Sequence, residues 1–287
     1  MAAIEKQLWI ALLLERFIPN TSFLSRSRDM SEFVEYNKIN LAEAGVDPKV
    51  LIDNTTFPIP ASQREDTPLE VPLHTFDTEN TIVRNVEEME SSYKKMESVI
   101  RGHKEALLKQ CASYAAHSWA PGKSSELNPV RFASGAMNTA GQRAITFEDI
   151  LRLRNWFTGH DVPLESLVLV LNADHEADLM AEDMKLYQRA IDGGKIFGVS
   201  YFVSSVLPRY ESAAGTKKAM GAAVVPGDTQ ASLMYCDTEV MRAMGTTDMF
   251  AKYKDPEQRG DMIGFQQRFT AMPIRGKYTA ALVSKTE

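Results

Sequence analysis

Residues 85–114 read NVEEMESSYKKMESVIRGHKEALLKQCASY and contain the most regular pattern of the sequence. Apolar or partly apolar side chains recur there every three or four positions, at Val86, Met89, Tyr93, Met96, Ile100, His103, Leu107, Cys111 and Tyr114. This spacing places them on one face of an α-helix of about 30 residues, roughly 45 Å long. A helix of this length with a single apolar stripe is typical of an elongated subunit and not of the core of a compact enzyme.

The ends of this helix are also indicated by the sequence. Asn85 is the predicted N-cap, and Glu88 stands three positions later as a capping-box partner. Pro121-Gly122 ends the helix. Gly102 falls in its middle, where glycine is unfavourable, and indicates a slight bend or a close contact.

The segment before the helix, residues 54–84, contains four prolines that exclude helical structure. Two extended runs, 55–59 and 69–76, are joined by the polar stretch 62–67. We interpret them as a two-stranded ribbon with a charged tip. An isolated hairpin is only marginally stable in water, so the ribbon needs a surface to lie on. That surface is provided by the same chain or by a neighbouring subunit, and the pattern alone favours neither.

The first twenty residues contain an apolar run, Leu8–Leu14, with charged residues on both sides. It is too short to span a membrane, and no small-residue cleavage site follows it. We therefore predict an amphipathic N-terminal helix that ends near Pro19-Asn20.

From Ile145 the pattern becomes α/β. Thr146 is a predicted N-cap for a helix over Phe147–Phe157, and the continuous apolar run Leu167–Leu171 predicts a strand buried on both faces. A helix over Ala177–Ala190 and a strand over Lys195–Val206, interrupted at Gly198, follow.

The remainder of the chain is predicted to be mainly β. The predicted strands are Gly221–Val225, Ser232–Cys236, Met249–Lys254, Met262–Ile274 and Tyr278–Val283. The short segment Glu239–Met244 has residues compatible with a helix. The fold class is therefore α+β.

Composition limits the function. The chain has 287 residues and a formal net charge of -6, and no run of lysine or arginine exceeds two residues, which disfavours sequence-specific nucleic-acid binding. Its two cysteines, Cys111 and Cys236, are far apart in sequence, which argues against a disulfide framework or a zinc site. Reduced cysteines fit folding in a cytoplasm.

One cluster of polar residues offers candidate chemistry. Asn172, Asp174, His175, Glu176 and Asp178 follow the buried strand, where α/β enzymes often place their sites. Asp174, His175 and Glu176 are the candidate ligands of a metal-dependent hydrolase. The favoured interpretation is that the cluster caps and charges the first turn of a helix. The sequence contains none of the common hydrolase, zinc-protease or phosphate-loop motifs, and we predict no catalytic, cofactor-binding or metal-binding residue.

Several stretches resemble tailed-phage major capsid proteins. They are ASYAAHSWAP at 112–121, GKIFGV at 194–199, SSVLP at 204–208, GDMIG at 260–264 and QQRF at 266–269. The order of predicted elements also resembles the Hong Kong-type capsid fold over nearly the whole chain. That resemblance implies an N-terminal arm and first helix (1–53), an extended β-ribbon called the E-loop (54–84), a long spine helix and following loop in a P-domain (85–144), an α/β A-domain (145–245), and a return to P-domain strands (246–287).

The resemblance also implies a function. A structural protein of this class self-assembles into pentamers and hexamers that form an icosahedral head around phage double-stranded DNA, without catalysis, a cofactor or a membrane. The E-loop would contact the next subunit through Phe57, Ile59, Arg64, Glu65, Asp66, Leu69 and Val71. Portal, scaffolding and decoration proteins are the expected further partners. Since the chain begins almost directly with the arm, the scaffold is expected to be a separate protein.

The expected location is the virion, after synthesis and assembly in the host bacterial cytoplasm. An encapsulin-like nanocompartment shell is the alternative within the same fold. The metal-dependent hydrolase is the alternative from another class.

Overall fold

A computed structural model describes residues 23–35, 37–43, 53–55, 58, 67–84, 88–258 and 260–286. The helices in these ranges are α1 (Glu88–Trp119), α2 (Phe147–Thr158), α3 (Ala173–Glu182) and α4 (Met184–Gly193). The strands are β1 (Arg28–Asp29), β2 (Val34–Glu35), β3 (Lys38–Glu43), β4 (Thr67–Pro72), β5 (His74–Asp77), β6 (Thr81–Arg84), β7 (Val130–Phe132), β8 (Leu167–Leu171), β9 (Lys195–Ile196), β10 (Val199–Val203), β11 (Arg209–Glu211), β12 (Thr216–Lys217), β13 (Asp228–Gln230), β14 (Ser232–Cys236), β15 (Val240–Asp255), β16 (Gly260–Pro273) and β17 (Thr279–Val283). The predicted α+β class is confirmed.

The long helix is confirmed as α1, which has 32 residues and ends at Trp119. Its predicted apolar face is buried at Ile100, His103, Leu107 and Cys111. The predicted cap, Asn85, lies outside the described residues, as does the predicted N-terminal helix over 1–20. No described helix is both long and apolar enough to cross a membrane.

A long hairpin forms the centre of the first sheet, which has the order β1-β15-β16-β5, with β6 also paired to β16. Strands β15 and β16 pair antiparallel from Val240 opposite Pro273 to Asp255 opposite Gly260. Near its middle, α1 packs Ile100 and Leu107 against Ile263 and Phe265 of β16. We call this sheet the hairpin sheet.

The second sheet has six strands in the order β7-β17-β14-β8-β10-β9. All five residues of β8 are buried, as predicted. Val168 and Val170 pack in the cluster that contains the C-terminal end of α1, whereas Leu167, Leu169 and Leu171 pack with α2, α3 and α4. The six-stranded sheet is therefore covered on both faces. Strand β17 lies inside it, parallel to β7 and antiparallel to β14.

The ribbon before α1 is described at strands β3 and β4. Strand β4 pairs with β3, with Lys38 opposite Pro72 and Glu43 opposite Thr67, whereas most of the run 55–59 lies outside the described residues. The continuation of the same extended run, β5, pairs with β16 of the hairpin sheet. The pairing of the runs 55–59 and 69–76 therefore stays a prediction.

Four local predictions in the second half of the chain are also corrected. The single helix over Ala177–Ala190 is two helices, because Asp183 takes an extended conformation and its carboxylate accepts hydrogen bonds from the N–H groups of Lys185 and Leu186. The strand interrupted at Gly198 is a hairpin of β9 and β10, in which Phe197 and Gly198 have positive φ values of 51° and 84°.

The segment Glu239–Met244 is not helical. Most of it lies in β15, since pairing with β16 overrides the helix propensity of its Met and Ala residues. The segment Gly221–Val225 is a loop and not a strand. It lies between β12 and β13, and Pro226-Gly227 follows it.

Candidate assembly surfaces

The residues predicted to contact another subunit fall mostly outside the described ranges. Phe57, Ile59, Arg64, Glu65 and Asp66 are in this group, and the side chain of Leu69 is not described either. Val71 is described and is buried inside its own subunit. It packs with Ile39, Met30, Met241 and Ala243 at the base of the ribbon. Val71 therefore anchors the ribbon to the body, and the contact of the other residues with a neighbour stays a prediction.

The base of the ribbon is held by backbone and side-chain contacts. The N–H of Leu73 donates to the carbonyl of Asn37 over 2.9 Å. Between the strands, Lys38 and Glu70 form an exposed ion pair at 3.0 Å. Such a surface pair contributes at most about 1 kcal/mol, so the apolar contacts of Val71 and Ile39 do most to fix the base. The described base of the ribbon is therefore fixed to the body of its own subunit.

Exposed apolar side chains mark a second surface on the loop of residues 218–227, which we call the apolar loop. Val224 is 60% exposed and Val225 48% exposed. Asp228 holds the loop in shape, since its carboxylate accepts from the Val225 N–H and pairs with Lys218 at 2.8 Å. Because a rigid loop exposes two β-branched side chains, it is a candidate contact with another molecule. In the sequence, the run Ala-Ala-Val-Val between a glycine and Pro-Gly is the signal that could have indicated this loop.

Strands β11 and β12, which precede the apolar loop, are joined to the C-terminal end of α1. The Lys217 ammonium donates to the carbonyls of His117 and Ala120 over 2.8 and 2.6 Å, at the negative end of the α1 dipole. Burial lowers the pKa of Lys217. The Tyr210 hydroxyl donates to the carbonyl of Pro121 just beyond the helix. The C-terminal end of α1 is therefore fixed by several independent hydrogen bonds.

The polar cluster after β8 is a helix cap and a buried network. Asn172 caps α3, its side-chain oxygen accepting from the His175 N–H over 2.6 Å. Asp174 is exposed, and Glu176 accepts a hydrogen bond from Tyr187. The His175 ring is buried between Ser232 and Ser284. Among the described residues no three His, Cys, Asp or Glu side chains are arranged to hold a metal ion. The capping interpretation is confirmed for Asn172.

The hydrogen bonds define the protonation of His175. The Ser284 hydroxyl donates to the carbonyl of Arg143, so it accepts from His175 Nε2 over 2.9 Å. Ser232 accepts from the Asn172 N–H and donates to Nδ1 over 2.7 Å. The neutral ring with its proton on Nε2 satisfies every partner. Burial lowers the pKa of His175 to about 4, although nearby Asp174 and Asp149 oppose the shift.

We expect this histidine to make the fold sensitive to acid. The unfolded chain binds a proton at its ordinary pKa of 6.5, and the folded chain at about 4. Between these values the unfolded state carries more protons, so the free energy of unfolding falls as the pH falls. The loss reaches roughly 3 kcal/mol near pH 4 and does not grow further below it. The test is urea unfolding of the wild type and of His175→Gln between pH 7.5 and 4. The difference between the two proteins in how much unfolding free energy they lose gives the contribution of His175.

All other titrating groups are present in both proteins, so their contributions to the pH dependence of the unfolding free energy cancel in the comparison. Equal pH dependence in the two would contradict the assignment. If His175→Gln does not fold, the chemical shifts of the wild-type ring measured by NMR against pH replace the variant, and a midpoint above 6 gives the same contradiction.

No protein-family model matches the chain, and no curated protein matches its sequence. Solved structures do match its fold. The capsid of Ralstonia phage GP4 aligns with a TM-score of 0.64 at 12% identity, over 96% of this chain and 91% of that chain. A structure of Mycobacterium phage Che8 aligns with 0.60 at 14%, over 92% and 91%. A virus-like particle from Pyrococcus furiosus aligns with 0.58 at 12%, over 97% and 99%.

These alignments cover nearly the whole chain. The molecule therefore has the fold of shell-forming proteins. More particularly, it has the Hong Kong-type phage major capsid fold.

Proposed function

We propose that this chain is the major capsid protein of a tailed bacteriophage, a non-catalytic subunit that assembles into pentamers and hexamers of an icosahedral head. The observation that carries the proposal is the fold match over more than nine-tenths of the chain to the capsids of Ralstonia phage GP4 and cyanophage P-SCSP1u. The exposed valines of the apolar loop support it, because burying them against a neighbouring subunit would be favourable.

The proposed partners are other copies of the same chain, with portal, scaffolding and decoration proteins added during head formation. The head would enclose DNA without reading its sequence, which agrees with a net charge of -6. Many weak contacts repeated over a closed lattice would hold the shell. The proposed location is the virion, after assembly in the host bacterial cytoplasm.

Electron microscopy of the overexpressed chain, alone and with a co-expressed scaffolding protein, tests the proposal. Closed icosahedral particles are expected. A chain that stays monomeric under both conditions, while well folded by circular dichroism, would contradict it. The contents of purified particles separate a phage head from the encapsulin-like alternative, which would enclose an enzyme cargo in place of a genome.

A further inference from the structure

A groove of about 760 Å³ lies between α1 and the segment that joins β5 to β6. Its apolar wall includes Phe76 and Leu107, and its rim includes Asp77 and Glu79. It lies beside the base of the ribbon, since β5 continues the chain from β4 after Leu73. Three features of the groove are not accounted for by contacts among the described residues of the same subunit.

The first feature is Gly102, which lines the groove in the middle of α1. A Cβ at this position would meet no heavy atom within 4 Å. Glycine destabilises a helix interior by about 1 kcal/mol relative to alanine, and no residue that the structure describes comes close enough to require it. The bare helix backbone leaves room for another chain to approach.

The second feature is His103, whose side chain contributes to the wall and is 7% exposed. Its ring lies 5.3 Å from that of Phe265, centroid to centroid, and its Nε2 has no hydrogen-bond partner. Burial lowers the pKa of this imidazole. The wall therefore contains a buried polar group that its own subunit does not satisfy, which is unfavourable by about 1–3 kcal/mol.

The third feature is the charge of the rim. Asp77 and Glu79 are the charged side chains among the described lining residues, and both are exposed. Asp77 accepts a hydrogen bond from the Gln266 amide over 2.7 Å. Glu79 forms no ion pair with any residue that the structure describes. The rim is therefore complementary to a cation.

We propose that the groove binds a basic segment of a second copy of this chain, with a lysine or arginine side chain against Asp77 and Glu79 and the main chain passing over Gly102. The aliphatic part of such a side chain suits the apolar wall, and its charged end suits the rim. The inference rests on the proposed shell function, in which identical copies surround each subunit. It specifies the surface that receives the neighbouring subunit and the charge of the segment that binds there.

Filling the groove tests the proposal directly. Gly102→Trp places a large side chain where the structure has open space, and Gly102→Ala is the matched control. We expect Gly102→Trp to lower the yield of closed particles at least tenfold in sedimentation and electron microscopy, and Gly102→Ala to assemble like the wild type. Glu79→Lys should lower the yield in the same way by reversing the rim charge. A folded Gly102→Trp protein that assembles at the wild-type yield would overturn the proposal.

A cross-link identifies the occupant and does not depend on the tryptophan variant folding. The natural cysteines are both buried, so Gly102→Cys introduces an accessible thiol for a photoactivated cross-linker. Particles assembled from mixed ¹⁴N- and ¹⁵N-labelled subunits should yield a mixed-label peptide that contains lysine or arginine. Cross-links confined to one chain, or made to a different protein, would overturn the inference. Absence of particles from the wild-type chain would instead contradict the proposed function itself.

Discussion

Replacing residues 44–66 with an Asn-Gly turn is expected to give a subunit that folds but forms no closed particles. The structure makes the change geometrically simple, because Glu43 and Thr67 are paired across the ribbon and a two-residue turn closes such a hairpin. The base keeps Ile39 and Val71 in their cluster, so the body should retain its stability. What is lost is the predicted contact of Phe57, Ile59, Arg64, Glu65 and Asp66 with the neighbouring subunit.

The readouts are the melting temperature for folding, and sedimentation with electron microscopy for assembly. Lys38→Met is the matched control, since it removes the exposed ion pair to Glu70 at the ribbon base and leaves the tip intact. That variant should melt within a few degrees of the wild type and assemble normally. Wild-type yields of particles from the truncated chain would show that the ribbon tip makes no essential contact.

Trp119→Ala is expected to lower the free energy of unfolding by about 3–5 kcal/mol, the range for removing a large buried aromatic side chain. Trp119 is 1% exposed at the end of α1. Its ring meets the edge of Phe23 at 5.9 Å and lies 5.2 Å from Tyr235, centroid to centroid. Its Nε1–H donates to the carbonyl of Met241 over 3.1 Å. One side chain thus connects α1, the segment before β1, and both sheets.

Urea unfolding at neutral pH, followed by circular dichroism, measures the effect. Trp119→Phe serves as the control, because it keeps an aromatic ring but loses the hydrogen bond to Met241. Its expected loss is about 1–3 kcal/mol, clearly smaller than that of alanine. If alanine and phenylalanine were equally mild, at under 1 kcal/mol, the junction would not be the point that holds the two sheets together.

The parts of the fold that the sequence predicts well are those fixed by neighbours along the chain. The 3.6-residue period of α1, the unbroken apolar run of β8, and Thr146 as the N-cap of α2 are all local signals. Pairing of distant segments is not local. The strand conformation at Val240–Met244 depends on pairing with Phe269–Pro273, and the helix predicted there was wrong.

For the candidate surfaces, too, the success of a prediction depended on whether its signal was local in sequence. The E-loop contact residues were predicted from the resemblance to phage capsid proteins, and among them only Val71 has a described side chain, which is buried at the base of the ribbon. The apolar loop was mistaken for a strand, because exposure cannot be read from a run of valines. Gly102 was correctly singled out as an unusual helix residue, but the groove beside it is formed by β5 and β6, whose position no local pattern reveals.

The place of β17 has a consequence for the order of events at the ribosome. Strands β7 and β14 flank it and are synthesised earlier, yet neither pairs with the other. Until residues 279–283 emerge from the exit tunnel, β7 has no partner in the six-stranded sheet and the sheet stays incomplete. Translation proceeds from the N-terminus, so a nascent chain completes this sheet only after residue 283 has been synthesised. A chain interrupted before residue 279 would therefore lack a complete six-stranded sheet.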